Sequence, residues 1–303
     1  MTARRNQLHY LVTVAEEGQI TSAARKLHLA QPALSQAIAQ LESELGLELL
    51  ERHPRGVTLT PAGAAFLVKA RAALDAETDA AQTAQSLARA ARGTLAVGFV
   101  GPPPALCMPD LFGAFSNRYP EAQITYKDLS FPQGSTAAWV ADVDVAVCHE
   151  PRAEEGICMH AVRVERRAVV LSRQHPLADQ RELDATQLLG ETFVSYHPHV
   201  QVGWAGFHCL NDHRGGPPAH LTDDHALTSL QMLGIMTAAR AVTVIPEADA
   251  KLALQVVPDV ISVPIRDAAP ARVSLVWRAE NHNPLVEGLL EVAHEHCGGA
   301  DGV

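Results

Sequence analysis

Between Gln7 and Gly63, short segments with apolar residues at helical spacing alternate with abrupt breaks. Leu8, Leu11, Val12 and Ala15 recur with the period of one helix. Ala23, Ala24 and Leu27 mark a second, shorter one, for which Thr21 or Ser22 is the expected cap. After a turn at His28 to Ala30, Leu34, Ile38, Leu41 and Leu45 form a stripe at i, i+4, i+7 and i+11 of a third helix. That spacing turns Gln31, Pro32, Ser35, Gln36 and Ala39 to the opposite side, which carries neither bulk nor acid. Short donor and acceptor side chains on a first helical turn suit the base edges of a major groove, and the N-terminal N–H groups suit phosphate. The pattern predicts a winged helix-turn-helix, its wing at His53 to Thr58.

From Pro61 to Gly93 the rhythm changes to an alanine-rich stretch of about thirty residues that reads as one long helix. Phe66, Ala70, Ala73, Ala80, Ala84, Leu87 and Ala91 follow a three-four alternation, interrupted by Glu77, the pattern of a seam against another helix. We read it as a dimerisation helix, since a two-fold protein presents two recognition helices to a two-fold DNA site. The alternative is packing on the chain's own downstream domain.

Beyond Thr94 strands and helices alternate, as in an open parallel sheet. Strands are expected at 94–99, 123–129 and 143–147, with helices at 106–119 and 136–141. A second set places strands at 168–171, 192–195, 220–222 and 241–245, with helices at 184–189, 202–211 and 226–237. Val273 to Trp277 and a helix from Pro284 to His296 read as a return to the first lobe, with hinge crossings near 162–164 and 261–264. A ligand cleft is expected where the strand ends of the two lobes face each other.

The segment AARKLHLAQPALSQAIAQLESELGLELLERHPRGVTLTPAG, Ala23 to Gly63, resembles the DNA-binding half of LysR-type transcriptional regulators. Shared with that family are the Ala-Ala second helix, the Gln-Pro-Ala-Leu-Ser recognition start, the Leu-Glu-x-x-Leu-Gly exit and the Leu-Thr-x-x-Gly wing end. The resemblance implies an α/β architecture with three parts: a winged helix-turn-helix over residues 1–60, a linker and dimerisation helix over 61–92, and a two-lobed, periplasmic-binding-protein-like effector domain over 93–303. Lobe I would comprise 93–162 and 265–303, and lobe II 163–264. Two positions depart from the family pattern: Ala30 stands where a capping serine is common, worth about 1 kcal/mol, and Leu50 where a phenylalanine is usual. The implied function is ligand-responsive transcriptional regulation, a dimer or tetramer binding an interrupted palindrome. The implied partners are double-stranded DNA, a small-molecule effector, further copies of the same chain and, as a candidate, RNA polymerase.

Charge fits once it is divided along the chain. The net charge is -10. Residues 1–60 balance six bases against six acids, which leaves 18 bases and 28 acids for the remainder. Glu42, Glu44, Glu48 and Glu51 lie past the middle of the third helix, whereas Arg52 and Arg55 flank the wing. Those arginines, with Arg25 and Lys26, are the candidate phosphate contacts, beside base readout by Gln31, Pro32, Ser35 and Gln36. A merely solvated charged face is the alternative. No run approaches the length of a bilayer span, and the five cysteines, odd in number and irregularly spaced, predict reduced thiols in the cytoplasm.

The first strand exits into Val100, Gly101, Pro102, Pro103 and Pro104. Prolines lack N–H groups, so the wall they build is rigid and largely apolar, and any charged group of an effector must be held elsewhere. The alternative is a stiffened surface turn. The other candidate lining residues are Ser130 and Phe131, His149, then Tyr196, His197, Trp204, Thr222 and Asp223. Trp204 and Phe207 at helical spacing also suit an ordinary core pair. Crowded histidines at 197, 199, 208, 213, 220 and 225 raise metal binding; His208 and His213 lie about 140° apart on a helix and cannot share a metal, whereas His197 with His199 could chelate from an extended segment, and the expectation is no metal and no other cofactor. The competing class, an enzyme or a solute-binding module that does not read DNA, finds no Gly-Lys-Ser/Thr loop, Gly-x-Ser-x-Gly elbow or His-Glu-x-x-His motif.

Overall fold

The computed structural model describes residues 2–54, 56–102, 108–149 and 152–296, with side chains from Arg5 onward. It divides into two compact units, Met1–Gln82 and Thr83–Val303.

The first unit contains α1 (Thr2–Glu17), α2 (Ile20–Lys26), α3 (Gln31–Leu45) and the hairpin β1 (Leu50–His53) and β2 (Gly56–Leu59). Leu11, Val14, Ala23, Ala24, Leu34, Ile38, Leu41 and Leu49 close its core. Burying about eight such side chains is what holds three short helices that would not persist alone. The α3 stripe is buried as its spacing requires, apart from the half-buried Leu45. Ala30 is the α3 N-cap and offers no side-chain hydrogen bond. The α2 N-cap is Gln19, not Thr21 or Ser22, because the helix begins one residue before Thr21 and takes both hydroxyl residues into its first turn. Glu42 is structural: its Oε1 accepts from Leu49 N and Leu50 N at 2.8 and 3.0 Å, fixing the chain as it leaves α3 for the wing. Gly63 admits no side chain, since a Cβ there would stand 2.0 Å from Leu49 O.

Helix α4 (Pro61–Ala91) is a single helix of 31 residues. Phe66 packs on the winged core and Ala70 is buried, whereas Ala73, Ala80, Ala84 and Leu87 of the expected seam are exposed. Near its end Ser86 and Arg89 meet Asp144, whose side chain is fully buried.

The second unit holds two sheets. In lobe I, β3 (Thr94–Phe99) lies between β4 (Gln123–Asp128) and β5 (Val145–His149), parallel to both. β12 (Ala271–Arg278) then pairs antiparallel with β5 and with β6 (Ile157–Glu165). Period-two alternation sorts β3: Leu95, Val97 and Phe99 pack under α5 (Pro109–Arg118) and α11 (Pro284–His296), while Ala96 and Val100 face the inter-lobe core. In lobe II, β7 (Arg167–Ser172) lies between β10 (Thr243–Pro246) and β11 (Val260–Pro264), antiparallel to both. β8 (Thr192–Tyr196) runs parallel to β9 (His220–Ala226) and bridges toward β10 through Phe193 and Val242. Three helices complete this lobe: α7 (Val202–His208), α9 (Ser229–Ala239) and α10 (Glu247–Val256). Two short ones, α6 (Thr136–Trp139) in lobe I and α8 (Asn211–Arg214) in lobe II, fill turns.

Several expectations are corrected. The sheets are not purely parallel: in lobe I β12 runs against β5 and β6, and in lobe II β7 runs against β10 and β11. Residues 162–164 and 261–264 lie inside β6 and β11, so the chain crosses between lobes just after each, at Arg166 and at 265–270. The helix expected at 202–211 breaks at Leu210, which takes a left-handed φ of 56°. The segment 184–189 is a short 3-10 turn over Ala185–Leu188. Helix α10 was not expected at all. No described helix is long and apolar enough to cross a membrane.

Candidate DNA-reading face and effector cavity

In the first unit Gln31, Pro32 and Gln36 are exposed and Ser35 is half-buried on the free side of α3. Gln31 Nε2 donates to Ser35 Oγ at 3.1 Å, so the two polar groups are poised on one another. Arg52, on β1, is exposed and shares a shallow concavity with Gln19 and Thr21 at the start of α2. Arg25 is exposed, its guanidinium 3.4 Å from Ser22 Oγ. Lys26 is already engaged: its ammonium lies 2.9 Å from Glu17, whose hydrogen bond raises the lysine pKa. Arg55 lies outside the described residues. Val57 N donates to Gly18 O at 2.8 Å, pinning the base of the wing to the turn after α1.

In the second unit a cavity of about 390 Å³ opens between the lobes, within the roughly 300–1,000 Å³ typical of small-molecule sites. Lobe I contributes Phe99, Val100, Gly101, Pro102, Asp128, Phe131 and His149. Lobe II contributes Trp204 and His208 from α7, and apolar faces of α9 and α10 that include Met232, Leu233, Leu252 and Val256. Among the candidates read from sequence, Val100, Gly101, Pro102, Phe131, His149 and Trp204 meet here. Pro103 and Pro104 lie outside the described residues.

Five candidates are not brought to this cavity. Ser130 accepts from Gln133 Nε2 and borders a separate shallow pocket. Tyr196 packs behind the wall, its ring 5.6 Å from Phe131 and its hydroxyl 3.1 Å from Thr243 Oγ1. His197 caps its own turn by accepting from His199 N. Thr222 Oγ1 accepts from Ser195 N at 2.9 Å and so ties β8 to β9, while Asp223 is exposed. The reason for the last two is register: β9 continues to Ala226, four residues past the strand end expected from its apolar content.

The wall holds a stack of aromatic rings. Trp204 lies 4.3 Å from Phe131, 4.1 Å from His208 and 5.4 Å from His149 between centroids. Its indole Nε1 is buried without a hydrogen-bond partner among the described residues. His208 Nδ1 stands 2.6 Å from Val244 O, and since a carbonyl only accepts, that nitrogen carries the proton. Neutral His208 must then accept at Nε2 from the Nε2–H of His149, 2.9 Å away. Burial lowers the His149 pKa to about 3, and burial together with His149 lowers that of His208. Burial also pushes Asp249 up to about 7, with Glu165 adding to the rise and Arg163 opposing it. Sequence reasoning missed His208, one helical turn past Trp204, and Asp249 on the unexpected α10. Among the described residues no three histidine, cysteine or acidic side chains are grouped to hold a metal ion.

A winged helix-turn-helix joined by a long helix to a two-lobed domain with an internal cavity defines a DNA-binding, ligand-binding protein. Residues 5–64 match the bacterial regulatory helix-turn-helix model of the lysR family, and residues 88–298 match the LysR substrate binding domain. The chain belongs to the LysR family, and is a DNA-binding transcriptional regulator with an effector-binding domain. It is 27% identical to the HTH-type transcriptional regulator AlsR of Bacillus subtilis, over 95% of this chain and 94% of that one. It is 30% identical to the regulator TfdS of Cupriavidus pinatubonensis, over 96% and 98%. Its fold is similar to that of full-length CbnR solved with its target DNA, at a TM-score of 0.51 and 24% identity over 97% and 99% of the two chains. Full-length BenM is similar at 0.51 and 24%, over 96% and 95%.

Proposed function

We propose that this regulator binds an interrupted palindrome as a dimer or tetramer, and that a small molecule seated between the lobes sets its affinity for that site. The cavity carries the reading: both lobes supply its walls, so an occupant contacts both and biases their relative position. By linkage such an occupant changes DNA affinity only as far as it prefers one arrangement of the heads over another. Gln31, Pro32, Ser35 and Gln36 read bases. Arg25, Arg52 and Arg55 hold phosphate, with Lys26 available once it leaves Glu17.

The exposed alanines of α4 support a helix-to-helix seam with a second copy, because small side chains allow close approach. The protein works in the cytoplasm beside its DNA, touches RNA polymerase when it activates, and has no enzymatic turnover. Supporting that last point, the relatives it resembles are named as regulators.

The test is binding of the full chain to a labelled duplex from upstream of its own gene as salt rises. Affinity falls steeply with salt and is weakened in Ser35→Ala for a sequence-reading protein; a shallow, variant-insensitive curve contradicts the reading.

A further inference from the structure

Resting on the cavity as the effector site, we propose that its ligand is an organic amine, an apolar body whose ammonium group is held by the carboxylate of Asp249 with Asp128 nearby. Three observations carry this. First, no lysine or arginine lines the cavity among the described residues, and the adjoining residues 103–107 and 150–151 include none in the sequence. The two histidines in the wall are neutral and spend their protons on Val244 O and on each other. Among the described lining residues no side-chain cation balances an anion.

Second, at each of the two helix N-termini beside the cavity, which would otherwise favour an anion, one backbone donor is already taken. In α9 the Thr228 hydroxyl accepts from Gln231 N, and in α10 the Glu165 carboxylate accepts from Ala248 N.

Third, two carboxyls line the cavity, those of Asp128 and Asp249. β4 places Asp128 beside Phe99, two residues before Gly101, and Asp249 Oδ2 comes within 3.5 Å of where a Gly101 Cβ would stand. Neither carboxyl has a cation of its own in the wall. Arg163, the nearest opposing charge to Asp249, is committed to Glu165 at 2.7 Å. Burial holds Asp249 near neutrality on its proton, and an ammonium partner would draw it into the carboxylate form. Trp204 and Phe131, stacked on one another, add aromatic rings to the cavity lining, and such rings favour a cation over an anion.

The experiment titrates the full chain, by calorimetry and by tryptophan fluorescence, with three head groups on two bodies. These are 2-phenylethylamine, 2-phenylethanol and phenylacetate, and hexylamine, hexanol and hexanoate. The expected result is that an amine binds at least tenfold more tightly than its carboxylate partner. Asp249→Asn weakens the amine at least tenfold and leaves the alcohol within about twofold, with Asp128→Asn giving a smaller change of the same kind.

Equal or tighter binding of the carboxylates, or an Asp249→Asn effect shared by all head groups, overturns the amine assignment while leaving the cavity as a ligand site. No binding by any of the six, with Asp249→Asn folded as judged by its melting curve, overturns both.

Discussion

The Nε2 atoms of His149 and His208 lie 2.9 Å apart, joining the last residue of β5 in lobe I to the last residue of α7 in lobe II. The bond needs an unprotonated Nε2 on His208, and burial disfavours the charged form of both rings, so the contact between the lobes depends on pH. An unfolded histidine titrates near 6.5. His149 in the fold titrates at about 3, and His208 also below its ordinary value, because burial disfavours the imidazolium. Between those values the unfolded chain binds protons that the fold cannot. Stability is therefore complete above about pH 6.5 and lost as pH falls toward about 3. His149→Phe should flatten the slope of unfolding free energy, by an amount that grows below pH 6.5 and approaches about 1.4 kcal/mol per pH unit near pH 5, measured by urea unfolding.

Asp144 is the second buried hub. Its carboxylate accepts from Arg89 Nε and Nη2 at 2.9 and 2.8 Å, from Ala96 N at 2.9 Å and from Asn283 Nδ2 at 3.0 Å. Removing it strands a half-buried guanidinium and two amide donors. Asp144→Ala should cost about 3 kcal/mol or more, seen as a lowered midpoint in the same urea experiment. Arg89→Ala, which also leaves a buried charge unpaired, should approach it.

On the DNA face the losses should differ in kind. Gln31→Ala and Ser35→Ala should each cost about 1–3 kcal/mol on the cognate duplex and little on unrelated DNA. Arg52→Ala should weaken both alike and reduce the salt slope by about one counterion. Fluorescence anisotropy across a salt series separates the two patterns.

Cys209 should be inert. Burial pushes its thiol up to about 12, and the S–H points at Val194 O. With native protein at pH 8, iodoacetamide should alkylate the half-buried Cys158 and leave Cys209 unmodified until the chain unfolds. Peptide mass spectrometry reads the outcome directly.

Much of this fold was legible because apolar periodicity is strong where burial is one-sided. β3 and α11 fall at the expected residues, Thr94–Phe99 and Pro284–His296. Legibility failed where a segment is polar by composition. β9 runs on through Asp223, Asp224 and His225, whose side chains face solvent, so its true end near the lobe interface left no apolar trace. Helix α10 spreads alanine and leucine among Asp249, Lys251 and Gln255 with a proline as its N-cap, and so lacks a capping side chain to mark its start. The cavity lost its most distinctive groups by the same route. Asp249 went with its helix, and His208 was weighed only against His213 because its partner His149 lies 59 residues away in sequence. The recognition face fared better, since one short helix carries both its buried stripe and its polar side.

The central claim is sequence-specific DNA binding governed by the first unit, and a footprint of the purified full chain upstream of its own gene tests it most directly. The account predicts a protected site with two-fold symmetry, lost in Gln31→Ala and Ser35→Ala; no protection at low salt, or protection unchanged in both variants, would contradict it.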